Sequence, residues 1–189
     1  MQVEYPPLVR RLYKAKVCLM GEEAVGKSST IRRFVHSAFD PNYMRTIGTT
    51  ISKKSLTVER GGEAADLDFI IYDIVGDMRF IQLFREAYFT RARGVIAVCD
   101  LTRPQTLRAL YGWIGELHKA VGKIPVVVLG NKADLQDQVS VPPDDLSSIG
   151  EYFSAPVLLT SAKTGDNVED AFLSLAKMIV QEPNPLLVP

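Results

Sequence analysis

Five short apolar runs alternate with segments of helical period, and this alternation restricts the folds that the chain can adopt. Each run has the length of a buried strand, and the runs are 15–20, 67–74, 94–101, 124–129 and 156–159. Between them, apolar residues recur every three or four positions, as from Leu107 to Val121 and from Val168 to Ile179. The pattern predicts an α/β domain in which a mostly parallel sheet carries helices on both faces.

Two further details concern the edge of the sheet and the start of the last helix. The segment Ile51 to Arg60 is more polar, alternates weakly and reaches the next strand through Gly61 and Gly62, which is typical of an edge hairpin. We therefore expect a six-stranded sheet with one antiparallel edge strand. Asp166 and Glu169 predict a capping box at the start of the last helix.

The composition argues against several classes of protein. The 22 Lys and Arg residues balance the 22 Asp and Glu residues, so we expect no broad basic face and no nucleic-acid partner. No apolar run approaches the roughly 20 residues that span a bilayer, and residues 1–16 are too charged for a signal peptide. Cys18 and Cys99 lie in apolar runs and are predicted to be reduced core thiols. We expect a cytoplasmic monomer with a single domain over residues 1–189.

A glycine-rich loop follows the first predicted strand and precedes the helical segment 29–36. The loop, Gly21 to Ser28, reads GEEAVGKS and fits G-x-x-x-x-G-K-[ST]. Its backbone N–H groups and the helix N-terminus suit phosphate oxygens, Lys27 reaches the β and γ phosphates, and Ser28 offers a hydroxyl to magnesium. The alternative is an ordinary glycine turn. The loop predicts nucleotide contacts from Gly21, Glu22, Glu23, Ala24, Val25, Gly26, Lys27, Ser28 and Ser29.

Asp73 follows the four apolar or aromatic residues Phe69 to Tyr72, next to the predicted phosphate loop. A carboxylate at this position can hold Mg2+, usually through water. Taken alone, an acid at a strand end is more often a turn or cap residue. Together with Ser28, Asp73 predicts a metal site at the C-terminal edge of the sheet.

The strand 124–129 runs into Gly130–Leu135, which contains the pattern N-K-x-D. The two oxygens of Asp134 suit the N1–H and the exocyclic amine of guanine, a donor pair that adenine lacks, so an ATPase is disfavoured. Asn131 can tie neighbouring loops together, and the stem of Lys132 can cover the ring. The last strand leads into Thr160 to Lys163, so Ser161, Ala162 and Lys163 are expected to close the base pocket.

These elements, in this order, resemble the Ras superfamily of small GTPases over about residues 14–180, and most closely its Rab branch. The Rab likeness rests on YMRTIG at 43–48, RF at 79–80, GVIAVCDLT at 94–102 and TSAK at 160–163. The resemblance implies a P-loop NTPase fold, the G domain, which binds GTP or GDP with Mg2+ and hydrolyses GTP. It also implies effector, exchange-factor and activating proteins as partners, through switch regions at about 38–49 and 75–90.

The resemblance further implies roles for four residues outside the motifs already described. Thr46 would bind Mg2+ and the γ-phosphate, Tyr43 would lie over the phosphates, Phe39 would stack on guanine, and the amide of Gly76 would sense the γ-phosphate. The alternatives are polar loop residues at 43 and 46, a core aromatic at 39 and a turn glycine at 76. Rab resemblance suggests membrane traffic, but residues 182–189 contain no cysteine for prenylation, so membrane contact is open and would be peripheral.

One position departs from the family at the reacting centre. Small GTPases usually carry glutamine after the switch glycine, whereas this chain has Asp77. A carboxylate only accepts hydrogen bonds, is shorter and adds negative charge beside an anionic phosphate. Glu23 replaces a small residue of the phosphate loop and adds another acid. The expected catalytic residues are Lys27, Thr46, Gly76 and Asp77. Losing one well-placed donor slows catalysis by about 10²- to 10³-fold. We therefore predict slow hydrolysis of GTP. The alternative is that Asp77 points away and the rate is ordinary.

Other residues leave several alternatives open. Arg45 and Arg79 could supply a compensating charge, or face water. Phe80, Leu83 and Phe84, beside Met78, form either a partner surface or a packing surface. His36 and His118 show no ligand spacing, and Trp113 is predicted to pack in the core. Two functions therefore remain: a switch with GTPase activity, or a GTP-binding scaffold with negligible hydrolysis.

Overall fold

The computed structural model describes residues 11–40 and 49–182, and the fold is given for these ranges. Six strands, five α-helices and one 3₁₀ turn follow one another within them. In chain order they are β1 Arg11–Met20, α1 Lys27–His36, β2 Thr50–Arg60, β3 Glu63–Asp73, α2 Met78–Phe89, β4 Ala92–Asp100, α3 Pro104–Val121, β5 Val126–Asn131, the 3₁₀ turn Gln136–Gln138, α4 Pro143–Phe153, β6 Val157–Thr160 and α5 Val168–Gln181.

The strands form one mixed sheet in the order β2-β3-β1-β4-β5-β6. Only the edge strand β2 is antiparallel, to β3, while the other five strands run parallel. This confirms the predicted mostly parallel sheet with one antiparallel edge strand. Because parallel strands end at the same edge, Met20, Asp73, Asp100, Asn131 and Thr160 all lie at the C-terminal edge, where α/β sheets bind ligands.

Helices cover both faces of the sheet, as predicted. On one face α1 and α5 enclose a buried apolar cluster in which the rings of Phe34 and Phe172 stack, with centroids 3.8 Å apart. On the other face α2, α3 and α4 enclose a second cluster that contains Trp113. None of the helices in the described ranges is long and apolar enough to cross a bilayer.

Both cysteines are buried and free, which confirms the prediction of core thiols. Burial raises the pKa of Cys18 and of Cys99 to about 12, so both thiols stay protonated at neutral pH. The two histidines also take structural positions. His36 is the exposed last residue of α1, and the ring of His118 packs edge-on against Phe153 at 5.9 Å.

The hairpin between β2 and β3 follows its predicted turn chemistry. Gly61 and Gly62 have φ values of 60° and 85°, which side-chain-bearing residues rarely adopt, and they connect the paired residues Arg60 and Glu63 directly. β3 therefore starts at Glu63, four residues before the apolar run that predicted it. Hairpin pairing, rather than hydrophobicity, sets this boundary.

The predicted capping box at α5 is wrong. The helix begins at Val168, and its N-cap residue is Asn167 in the left-handed conformation at φ 55°, without a side-chain cap hydrogen bond. The side chain of Asn167 donates instead to the carbonyl oxygen of Leu159 at 2.8 Å. Asp166 lies outside the helix because the loop after β6 continues one residue further than the sequence pattern suggested.

Candidate nucleotide-binding site

The phosphate loop, residues 21–28, runs from the end of β1 into the first turn of α1, and two of its residues must be glycine. Gly21 has φ 134°, and a Cβ there would overlap the carbonyl oxygen of Val98. Gly26 has φ 104°, and a Cβ there would overlap the side-chain amide of Asn131. Ala24 also has a positive φ, 62°, although it carries a side chain. Neighbouring strands therefore press closely on this loop.

Lys27 lies buried beneath the loop. Its Nζ donates to the carbonyl oxygens of Gly21 and Glu22 at 2.8 and 2.7 Å. Burial lowers the pKa of Lys27 to about 8, although the nearby carboxylates of Asp73, Glu23 and Glu22 oppose that shift. The ammonium group is thus placed where an anionic phosphate would favour its charged form.

Ser28 and Asp73 come together from two neighbouring parts of the sheet edge. The hydroxyl of Ser28, in the first turn of α1, donates to Oδ2 of Asp73 at the end of β3. Hydroxyl and carboxylate oxygens are hard ligands of the type that Mg2+ prefers. The residues present therefore fit a magnesium ion beside the phosphate loop.

Gly76 lies against the phosphate loop. A Cβ at Gly76 would be 2.5 Å from the backbone nitrogen of Glu23 and 2.6 Å from the carbonyl carbon of Glu22, closer than real Cβ contacts. Only glycine allows the segment after β3 to approach this peptide so closely. Glu23 is exposed to solvent.

Asp77 is the N-cap residue of α2, a role that the sequence analysis missed. Its Oδ1 accepts from the backbone nitrogen of Arg79 at 3.0 Å and from Nε of Arg79 at 3.1 Å. Its Oδ2 lies 2.7 Å from Nη2 of the same arginine, and this pairing raises the pKa of Arg79. The signal was present in the sequence, because aspartate is a favoured N-cap residue before a helical run. Arg79 binds Asp77, although 85% of the arginine side chain is exposed to solvent.

The base loop, residues 131–134, starts at the last residue of β5 and contacts two other loops. Nδ2 of Asn131 donates to the carbonyl oxygen of Val25 at 2.9 Å, and Oδ1 accepts from the backbone nitrogen of Ala162 at 3.1 Å. Oδ1 of Asp134 accepts from the hydroxyl of Ser161 at 2.7 Å. Nζ of Lys163 lies 3.9 Å from Oδ2 of Asp134. The structure thus brings the predicted base-binding residues together.

Lys132 has a contact that the sequence did not predict. Its Nζ lies 2.6 Å from Oδ2 of Asp100, which ends β4 and is fully buried. Arg103, just before α3, binds the same oxygen. The signal for Asp100 was its position at the end of a predicted strand, as for Asp73.

Several predicted residues lie at the margin of the described ranges. Tyr43, Arg45 and Thr46 fall outside them, so their predicted roles are not placed by the structure. Phe39 is described and lies three residues after α1, with 37% of its surface exposed. The ring is therefore not a core aromatic.

The apolar residues of α2 differ in burial. Ile81 is fully buried, and Met78 packs against the same core cluster. Phe80, Leu83 and Phe84 are instead 47%, 77% and 50% exposed, and the two phenylalanine rings are 6.4 Å apart. These three residues, the α2 apolar surface, do not pack the helix onto the sheet.

The fold and the site define a class of protein: a nucleotide-binding α/β domain with a phosphate loop, a strand-end carboxylate and a separate base loop. The family model described as the Ras family matches residues 16–181. The chain therefore belongs to the Ras family.

Curated relatives place the similarity on the Rab side of that family, as predicted. Mouse (Mus musculus) Ras-related protein Rab-22A is 36% identical over 169 residues, which cover 89% of this chain and 84% of the relative. Rat (Rattus norvegicus) Ras-related protein Rab-31 is 36% identical over 165 residues, which cover 87% of this chain and 82% of the relative. Ras-related protein RABA4b of Arabidopsis thaliana is 34% identical over 173 residues, which cover 91% of this chain and 75% of the relative. Membership of this small-GTPase family supports a GTP-binding switch.

Proposed function

We propose that the protein is a guanine-nucleotide-dependent molecular switch that binds GTP or GDP with Mg2+ and hydrolyses GTP slowly. One observation carries the proposal: the phosphate loop with Lys27 and Ser28, the carboxylate of Asp73 and the base loop with Asp134 meet at one edge of the sheet. An ATPase is disfavoured by Asp134, whose two acceptor oxygens match the donor pair of guanine.

The residues divide the work of binding. Lys27 neutralises phosphate charge, and Ser28 and Asp73 supply oxygen ligands for Mg2+, with Thr46 as a further proposed ligand. When bound, the ion neutralises charge that develops on the phosphates during transfer. Asp134 accepts hydrogen bonds from guanine, and Ser161 orients Asp134. The other proposed contacts with the nucleotide are Phe39, Tyr43, Lys132, Ala162 and Lys163.

The proposal of slow hydrolysis is supported by the contacts of Asp77. Both of its carboxylate oxygens are engaged by Arg79, and one of them caps α2. Neither oxygen has a proton to donate toward a γ-phosphate oxygen, as the amide of glutamine does. Any water that Asp77 positioned would share this carboxylate with the cap of α2 and with Arg79. Catalysis would then rest on Lys27, Thr46 and the amide of Gly76, without the donor that contributes about 10² to 10³ in other enzymes.

Partner proteins are expected at the two switch regions. The exposed α2 apolar surface supports this, because contiguous exposed aromatic and aliphatic side chains mark interaction sites. We propose that effectors, exchange factors and activating proteins contact residues 38–49 and 75–90. We also propose a cytoplasmic monomer whose membrane contact, if present, is peripheral and through partners.

The second candidate function is a GTP-binding scaffold with negligible hydrolysis. The engaged carboxylate of Asp77 favours it, whereas the meeting of Ser28 with Asp73 and the close approach of Gly76 to the phosphate loop favour a working switch. The two candidates differ in one measurable quantity, the rate of a single turnover.

The test starts with the nucleotide bound to the purified protein, identified after extraction, and continues with single-turnover GTP hydrolysis in Mg2+. Guanine nucleotide and a slow but measurable turnover are expected. Asp77→Gln should then accelerate hydrolysis at least tenfold. An adenine nucleotide would contradict the proposal, no turnover in either protein would favour the scaffold, and an unchanged rate in Asp77→Gln would contradict the role given to Asp77.

A further inference from the structure

Asp100 is fully buried at the end of β4, yet it holds two cationic side chains. Its Oδ2 lies 2.6 Å from Nζ of Lys132 and 2.9 Å from Nε of Arg103. Its Oδ1 accepts from the backbone nitrogen and the hydroxyl of Thr102 at 2.9 and 2.7 Å. Burial alone would raise the pKa of Asp100, but these partners hold it below the ordinary value. The carboxylate is therefore a fixed anionic anchor.

Arg103 extends from this anchor to the phosphate loop. Its Nη2 donates to the backbone carbonyl oxygen of Glu23 at 3.0 Å, while its Nε stays on Asp100. The guanidinium makes these two hydrogen bonds from two nitrogens held at a fixed spacing in one plane, a geometry that the single nitrogen of a lysine ammonium lacks. Because Lys132 belongs to the base loop, Lys132, Asp100 and Arg103 form a polar link between the base loop and the phosphate loop.

Two links of this kind flank Ala24. Arg103 holds the carbonyl oxygen of Glu23, and Asn131 holds that of Val25. In a trans peptide the carbonyl and the following N–H point to opposite sides. Arg103 therefore fixes the direction of the Ala24 N–H, and Asn131 that of the Gly26 N–H. In a phosphate loop, such N–H groups are the ones that bind phosphate oxygens.

Ala24 itself shows why the loop needs this support. Its φ of 62° is left-handed, a conformation that costs free energy for a residue with a side chain and persists only where its surroundings hold it. Without the bond from Arg103, the Glu23 peptide can rotate and Ala24 can relax toward negative φ. The N–H of Ala24 would then no longer point toward the bound phosphate.

We propose that Arg103 is a positioning residue of the nucleotide site, which holds the Glu23 peptide so that the phosphate loop retains GDP and GTP. The inference rests on the proposed guanine-nucleotide site and adds a residue outside its motifs. One nitrogen of the Arg103 guanidinium, Nη2, binds the backbone of the phosphate loop, and another, Nε, binds the buried carboxylate of Asp100. Loss of Arg103 therefore accelerates nucleotide release.

The test compares three substitutions by the rate at which fluorescently labelled GDP dissociates in Mg2+. Arg103→Met keeps the length of the side chain and removes both hydrogen bonds. Arg103→Lys keeps the charge but cannot reproduce the pair of hydrogen bonds from Nε and Nη2. Arg108→Met is the matched control, because Arg108 is exposed on α3. We expect GDP release to accelerate about five- to tenfold in Arg103→Met and to be unchanged in Arg108→Met. The release rate of Arg103→Lys should lie within twofold of the rate of Arg103→Met.

Urea unfolding and hydrogen exchange separate positioning from simple stabilisation. If the ion pair of Arg103 only stabilised the fold, its loss would lower the urea midpoint without changing GDP release. Faster exchange confined to the peptide that contains residues 21–26 in the GDP-bound Arg103→Met protein supports the proposal, and unchanged exchange there contradicts it.

The outcomes separate this inference from the proposed function. Wild-type protein that does not retain GDP would contradict the proposed function itself. Wild-type protein that retains GDP, with release from Arg103→Met equal to that from Arg108→Met, would overturn only the role of Arg103. A wild-type rate in Arg103→Lys would also overturn it, since charge alone would then suffice.

Discussion

The side-chain amide of Asn131 donates to the carbonyl oxygen of Val25 at 2.9 Å, across 106 positions of sequence. Both groups are buried, and the same side chain accepts from the backbone nitrogen of Ala162. One amide thus joins the phosphate loop, the base loop and the loop after β6. A buried residue that uses its donor and its acceptor in this way tolerates no substitute that lacks either.

We predict that Asn131→Asp destabilises the protein and accelerates GDP release. The substitution keeps the acceptor toward Ala162 but places an oxygen opposite the carbonyl of Val25, which leaves a buried acceptor unsatisfied at a cost of about 1–3 kcal/mol. Urea unfolding and GDP dissociation measure the two effects. The control is Asn167→Asp, which loses a donor of the same kind at an exposed position. Equal effects of the two substitutions on GDP release would contradict the prediction.

The cap of α2 and the chemistry of residue 77 can be separated by two substitutions. Asparagine caps helices about as well as aspartate, so Asp77→Asn should change stability by less than about 0.5 kcal/mol, whereas Asp77→Gln loses the cap and about 1 kcal/mol. Hydrolysis should rise in both, and more with glutamine, whose amide reaches one methylene further. Urea unfolding and single-turnover hydrolysis of both variants check this. Equal stabilities would show that the side chain of Asp77 does not cap α2 in solution.

GDP affinity should fall in alkaline solution because of Lys27. Its pKa of about 8 in the nucleotide-free protein lies below the ordinary value of 10.5, so Lys27 loses its proton as the pH rises through 8. Bound phosphate raises that pKa again, and binding above pH 8 therefore takes up a proton. Between pH 7 and pH 9 the affinity should decrease about tenfold.

Equilibrium competition at several pH values measures this decrease, with Lys27→Met as the control. The guanine ring also ionises in alkaline solution, and both proteins share that effect, so the difference between the two profiles reports on Lys27. Parallel profiles would show that Lys27 keeps its proton throughout.

Removal of Mg2+ should accelerate GDP release through Asp73 and Ser28. We expect a chelator to increase the dissociation rate at least tenfold in the wild-type protein, and by less than about threefold in Asp73→Asn, which keeps the shape of the side chain and removes its charge. The same dissociation assay with and without chelator gives both ratios. If Asp73→Asn responds to the chelator as the wild-type protein does, Asp73 is not a ligand.

Contacts within one motif were predictable from the sequence. The spacing of Gly21, Gly26 and Lys27 after an apolar run places a loop, a buried cation and a helix start in a fixed order, because short-range geometry controls all three. Parallel strands then bring Asp73 and Asn131 to the same edge, whatever the exact length of each strand.

Contacts that depend on strand register or on the residue at which a helix begins were not predictable. Lys132 meets Asp100 because β4 and β5 are neighbours whose ends are in register at Asp100 and Asn131, and a single sequence does not show that register. Aspartate before a helical run favours an N-cap, but the pairing of Asp77 with Arg79 also required knowing that α2 starts at Met78, and helix boundaries are the least certain part of a sequence pattern. The capping box at Asp166 failed for the same reason.

The contact of Gly76 with the phosphate loop has a mechanical consequence for the surface of the protein. Gly76 touches the peptide between Glu22 and Glu23, and the next residue, Asp77, is the first anchor of α2. The rings of Phe80 and Phe84 lie within two turns of that anchor. A partner bound to the ring of Phe80 would therefore contact the chain four residues from the glycine that meets the phosphate loop, ahead of the kink of α2 at Phe84.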